Sequence, residues 1–292
     1  MVVRIFTFLP IWVLLCGCAE NGENTSLGKD EVLKIAVIPK GTTHSFWKAI
    51  HAGAMKAGQE LNVEIIWKGP VIENDRNSQI AEVENFVNRG VSGIVLAPSD
   101  NKALRLPVVN ASRSGVPVVI IDSELDSDVP VSFIATNNYE GGRLAGNRMV
   151  EALGGTGRVI MLRNMEGSAS TMKREQGFMD VMEESPGIAV VSSNQYAGAG
   201  FEQAYKASEN LLSRFKSPDG KLEVEGIFCP AEPVAFAMLR ALQDEDYART
   251  VQLIGFDASE QMAAALEKGE FDALVLQDPI DMAYLGVKTM VA

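Results

Sequence analysis

From Leu33 onward, short apolar runs alternate with stretches whose apolar positions recur at helical spacing. The runs cover 33–39, 63–67, 93–98, 116–122, 131–136, 158–163, 188–193, 226–230, 251–256 and 273–277. They are rich in Val and Ile and continuous rather than alternating, as in strands buried on both faces. Between them, Phe46, Ile50, Ala54, Ala57 and Leu61 share one helical face, and Ile80, Val83 and Val87 share another, with Glu82, Glu84 and Asn85 pointing elsewhere. Helical patterns also cover 144–153, 178–182, 204–212, 236–242 and 262–266. Alternating strand and helix units predict parallel sheets with right-handed crossovers. So many strands overfill one open sheet, so the expected class is α/β with two doubly wound parallel-sheet lobes. The polar step after Thr136 is a natural crossover between lobes, and Gln277-Asp278-Pro279 is a second. That gives an N-terminal lobe over 32–136, a C-terminal lobe over 137–277 and a helix over 278–292 returning to the first lobe. The chain stops inside a helical pattern without a cap, which reads as a truncated C-terminus.

The first residues follow a different pattern. Arg4 precedes an apolar stretch from Ile5 to Leu15, interrupted by Pro10. Spanning a bilayer takes roughly 20 apolar residues, so this shorter stretch reads as an export signal over 1–17. It ends in Leu15-Cys16-Gly17-Cys18, which resembles a bacterial lipobox with Cys18 as the lipidated residue. Residues 18–31 are polar and rich in Gly and Asn, a flexible tether. A plain cleaved signal peptide or a single anchor helix are the competing readings.

Composition narrows the function. The formal net charge is -12, which argues against a nucleic-acid partner, because phosphates call for a basic face. The 47% of hydrophobic residues is enough for a substantial core. Two of the three cysteines, Cys16 and Cys18, lie in the leader, leaving Cys229 and no disulfide framework. With His44 and His51 as the only histidines, a His-rich metal site is not expected. No cofactor motif is present, and neither a G-x-S-x-G elbow, an H-E-x-x-H helix nor a phosphate loop occurs.

In open α/β sheets, ligands sit beyond the carboxyl ends of the strands, so those loops carry the candidate chemistry. They offer the aromatics Phe46 and Trp47, the carboxylates Asp122 and Asp257, and the guanidinium of Arg174. They also offer the amides Asn137, Asn138 and Gln277 and the hydroxyls Thr43, Ser123, Ser168 and Ser170. Hydroxyl-rich ligands need both donors and acceptors, charged groups make the stronger bonds, and flat rings pack on C–H faces. Each candidate keeps a second reading. Phe46 or Trp47 is also a core residue by pattern, and Asp122 suits a turn. Asp257 or Ser259 suits a helix cap, and Asn137 and Asn138 suit a hinge. His44 is a loop residue as well as a ligand candidate.

Taken in order, these loops resemble the periplasmic sugar-binding proteins of ribose/galactose type, whose type I fold is shared with LacI-like repressors. The markers are Ser45-Phe46-Trp47, Gly90 to Val95, Pro117 to Asp122, Thr136-Asn137-Asn138 with Gly142, Ala145 and Gly146, Arg174 with Gly177-Phe178, Leu239 to Leu242, Gly255-Phe256-Asp257, and Gln277. The resemblance implies that Phe46 and Trp47 sandwich a sugar. It also implies that Asp122, Arg174 and Asp257 bind its hydroxyls, that Ser170 joins them one turn before Arg174, and that Gln277 is the hinge amide. His44 stands where ribose binders carry an asparagine. Ser123 replaces the arginine that follows the first aspartate in ribose binders, and Pro230-Ala231-Glu232-Pro233 replaces an Asn-Asp loop. A monosaccharide or polyol other than ribose is therefore equally admissible.

The implied function is the monomeric substrate-binding component of an ABC-type sugar importer. Its partners are a sugar, the membrane permease subunits and, through the lipid, the membrane. A sensor signalling to a receptor kinase would share every site residue. A LacI-type regulator would need a helix-turn-helix where the leader stands, and a cleft enzyme would need a paired acid and base.

Overall fold

The computed structural model describes residues 32–73, 75–198 and 200–292. The leader, the tether and Cys18 lie outside those residues. The first lobe contains β1 (Lys34–Ile38), α1 (Ser45–Leu61), β2 (Glu64–Trp67), α2 (Arg76–Asn88), β3 (Gly93–Leu96), α3 (Arg105–Arg113), β4 (Val118–Ile121) and β5 (Ser132–Ile134). The second contains α4 (Asn138–Ala152), β6 (Gly157–Arg163), α5 (Ala169–Glu183), β7 (Ile188–Tyr196), α6 (Phe201–Ser213), β8 (Gly226–Phe228), α7 (Glu232–Asp244), β9 (Gln252–Phe256), α8 (Glu260–Glu267) and β10 (Ala273–Val275). The chain then recrosses, and α9 (Pro279–Val291) packs on α1 and on β3, β4 and β5.

Both sheets are parallel throughout. Their orders are β2-β1-β3-β4-β5 and β10-β9-β8-β6-β7. Read from each lobe's own first strand, the two orders are the same. The switch points therefore fall between β1 and β3 and between β6 and β8, where loops splay apart and a ligand crevice opens.

The continuous apolar runs have a direct cause. In β1, Ile35 and Val37 point to the cluster holding Trp47, Ile50, Ala54, Met282 and Val287. Ala36 and Ile38 point to the opposite cluster with Val83, Phe86 and Val108. In β6, Val159 and Met161 join Phe178 and Phe228, while Ile160 and Leu162 join Val234, Met238 and Leu253. Alternate residues face opposite sides, and helices cover both. Every apolar run supplies one strand. Among the helices, α3 was not foreseen. It is nine residues long, holds Pro107 near its start, and buries only Pro107, Val108 and Ala111.

Two glycine contacts set helix spacing. A Cβ on Gly142 would overlap the backbone oxygen of Arg174, and one on Gly177 would overlap that of Tyr139. Thus α4 and α5 touch backbone to backbone, at the residue that carries the site's guanidinium. Gly53 makes the matching approach to Ile280 between α1 and α9. Gly142→Ala is expected to force α4 off α5, costing about 1–3 kcal/mol as in other overpacked sites. A chemical or thermal denaturation curve checks this, and an unchanged midpoint would contradict the contact.

Candidate ligand-binding cleft

The strand ends of both lobes converge on one cavity. It is lined by His44, Phe46, Trp47, Asp122, Ser170, Arg174, Asp257 and Gln277, all expected from the sequence, and also by Lys40, Glu73, Asn164 and Glu232. The structure does not bring Asn137 there. Its side chain accepts from the Glu140 N–H at 3.2 Å and caps α4, which satisfies an otherwise orphan helix donor. Its neighbour Asn138 is the buried one, donating to the Thr136 oxygen at 3.1 Å and accepting from Arg174 Nε at 2.8 Å.

Asp122 and Asp257 are equivalent in construction. Each follows the fourth strand of its lobe, β4 or β9, and each sits in left-handed backbone, at φ 63° and 64°. Asp tolerates that region better than most residues, though not without some strain. Each N–H still extends its sheet, to Ile134 O at 3.1 Å and to Val275 O at 2.8 Å, while the carboxylate turns into the cleft. Neither serves as a local cap: Ser259 caps α8 by accepting from the Met262 N–H at 3.4 Å.

Each carboxylate has a cation from its own lobe. Arg174 Nη1 lies 3.8 Å from Asp257 Oδ2 and donates to Pro230 O at 2.9 Å. Its guanidinium also lies over the Phe256 ring at 3.8 Å. Burial lowers the Arg174 pKa from its ordinary value, against the pull of Asp257 and Asp122, yet a guanidinium stays charged. Lys40 Nζ lies 2.7 Å from Asp122 Oδ2 and 3.0 Å from Ser170 Oγ. Lys40 follows β1, so the cation beside Asp122 comes from a different loop of the same lobe. Ser123 instead joins the lobes, accepting from the Ser170 N–H at 3.0 Å.

Aromatic and acidic groups form the rest of the wall. Phe46 and Trp47 meet edge to face, with centroids 4.9 Å apart. Trp47 is only 2% exposed and packs into the core of its lobe, while its Nε1–H donates to Glu73 Oε1 at 2.6 Å. Glu232 Oε2 accepts from the Phe46 N–H across the cleft at 3.4 Å. Asn164 is buried, and its Oδ1 has no hydrogen-bond partner. His44 occupies the N-cap position of α1 without a side-chain cap bond. Gln277 Nε2 donates to Asp257 Oδ1 at 2.9 Å, and Gln277 Oε1 accepts from Thr136 Oγ1 at 2.7 Å. That last bond ties one lobe crossover to the other.

Lys40, Glu73 and Asn164 were missed from the sequence. Lys40 had one signal, its place directly after the first strand. Glu73 lies in the loop after β2, outside the loops that offered candidates in the sequence. Among the described residues, no group of His, Cys, Asp and Glu is placed to hold a metal, and no helix is long and apolar enough to cross a membrane. Cys229 is buried, and burial pushes its thiol pKa up, away from reactivity.

Twin parallel sheets closing polar strand ends over one cavity define a two-lobed binding protein of the type I periplasmic kind. The chain belongs to the family described as periplasmic binding protein domain, matched over residues 35–292. It is 27% identical over 255 residues to a ribose import binding protein of Haemophilus influenzae, covering 87% of this chain and 83% of that one. It is 30% identical over 247 residues to a D-apiose import binding protein of Paraburkholderia graminis, covering 83% and 75%. A carbohydrate transporter solute-binding protein of Agrobacterium radiobacter, solved with D-arabinose, superposes with a TM-score of 0.83 at 32% identity, covering 90% of this chain and 88% of that one.

Burial raises Asp257 from the usual 3.8 to about 6, outweighing the opposing pull of Arg174 and Gln277. The folded protein thus takes up a proton that the unfolded chain does not between those two values. Stability rises as pH falls through that window, and the cost of the buried charge is fully present above it. That cost is on the order of 2–3 kcal/mol. Asp257→Asn is expected to stabilise the unliganded protein by that order at neutral pH, with the gain shrinking toward pH 4. Urea melts across this range check the sign, and a gain independent of pH would contradict it.

Proposed function

We propose that this protein binds a monosaccharide or related polyol between its lobes and delivers it to the membrane subunits of an ABC importer. The observation that carries this reading is the paired construction of the cleft. Each lobe offers a carboxylate and a cation at its strand ends, with Phe46 and Trp47 beside them. Vicinal hydroxyls both donate and accept, so they suit carboxylates and cations side by side. Relatives named for ribose and apiose import, and a neighbour solved with D-arabinose, support the same class.

The role is binding with hinge closure. The space between the lobes is narrow, bridged by the Ser170–Ser123 and Phe46–Glu232 contacts. A monosaccharide needs more room, so the lobes part to admit it and close on contacts from both sides. The hinge lies at the two crossovers, and the ligand shifts the equilibrium by its preference for the closed state. We further propose that the mature protein is exported and held at the membrane by lipid on Cys18.

A thermal-shift screen against pentoses, hexoses, their amines and polyols tests the function. A true ligand at a hundredfold excess over its Kd adds about 2.7 kcal/mol, a rise of roughly 5–10 °C. No shift with any of them would overturn the sugar reading. Asp122→Ala and Arg174→Ala are each expected to weaken the ligand found by tenfold or more in calorimetry, since each removes a charged group that would bond the ligand's hydroxyls, about 1.4 kcal/mol or more. Full affinity in either would overturn the site. Cys18→Ser is expected to move the protein from the membrane to the soluble fraction of cells, and unchanged fractionation would refute the anchor.

A further inference from the structure

The ionisable groups lining the cleft do not balance. Beside the imidazole of His44, Lys40 and Arg174 face Glu73, Asp122, Glu232 and Asp257. Lys40 is committed to Asp122 and to Ser170, and Arg174 to Asp257, Asn138 and Pro230. Among the described residues, neither Glu73 nor Glu232 has a cation within salt-bridge distance. The two belong to opposite lobes, and both are fixed to the aromatic pair, Glu73 through Trp47 Nε1–H and Glu232 through the Phe46 N–H. Glu232 is 9% exposed and opens α7, where the helix dipole offsets part of its charge. A second, independent feature of the same cavity asks for a donor. Asn164 is 2% exposed, and its Oδ1 has no partner.

A neutral sugar could donate hydroxyls to these oxygens but would leave two excess negative charges enclosed by the closed lobes. Buried charge without compensation is costly, and a cation on the ligand offsets one of the two charges. Deepening the sugar-binding reading, on which this step rests, we infer that the ligand carries a protonated amine on its polyhydroxyl frame, seated at Glu73 and Glu232 beside Phe46 and Trp47. The ligand class is thus an amino sugar or amino polyol. The amine supplies three donors and one charge. The ring hydroxyls remain for Asp122, Asn164, Arg174 and Asp257.

Calorimetry on the full chain near neutral pH, with D-glucose against D-glucosamine and D-galactose against D-galactosamine, tests the inference. The amine member of the pair that binds is expected to be at least about tenfold tighter, a difference near 1.4 kcal/mol. Glu232→Gln and Glu73→Gln keep size and shape and are each expected to collapse the amine-to-neutral affinity ratio toward one. The ratio is internal to each variant, so a general loss of affinity does not obscure it. Equal or tighter binding of the neutral sugar overturns the amine and leaves the sugar-binding reading standing. So does a preference that survives both substitutions. Binding of neither member of either pair, nor of any sugar or amine in the thermal screen, overturns both.

Discussion

The cleft rests on one electrostatic requirement: two carboxylates buried at strand ends must each be compensated. Parallel sheets with the same strand order place Asp122 and Asp257 after the fourth strand of each lobe, in matching left-handed backbone. A buried carboxylate without a partner would be protonated or would unfold its surroundings. Each lobe answers with a cation that follows its first strand, Lys40 after β1 and Arg174 in the second turn of α5 after β6. The compensation is closer for Asp122, at 2.7 Å, than for Asp257, at 3.8 Å. Burial raises the pKa of Asp257 beyond what Arg174 and Gln277 offset.

The same groups couple the lobes. Lys40 reaches Ser170, Ser123 meets Ser170, and Glu232 meets the Phe46 N–H. At the rim, the Asn101 N–H donates to Gly167 O at 3.1 Å, and Arg76 Nη2 donates to Glu166 O at 2.9 Å. A Cβ on Gly167 would run into the Asp100 carboxylate, so only glycine lets this loop lie against the first lobe. These contacts are polar and few, while the large apolar clusters stay within the lobes. The closure proposed above would move two lobes whose apolar clusters are separate. It would turn about crossovers held together by the Thr136–Gln277 bond and would not require repacking of a core.

Much of this was legible in the chain. Strands buried on both faces leave continuous apolar runs, so all the strands and the two-lobed class followed from local pattern. The aspartates, Arg174, Gln277 and the aromatic pair were legible because they sit at strand ends or helix starts in a recognisable order. Local sequence determined those features because backbone periodicity and loop position are local properties. Only the tertiary structure decided the rest. Asn137 and Asn138 are adjacent and chemically identical, yet one caps a helix in solvent while the other fixes Arg174. Trp47 belongs to a core as much as to the cleft. Lys40 and Asp122 are far apart in the chain, as are Glu73 and Glu232, and no local pattern announces that they share a cavity. Charge balance in a buried site is a sum over every lobe, strand end and loop that reaches it, and only the folded chain brings its members together.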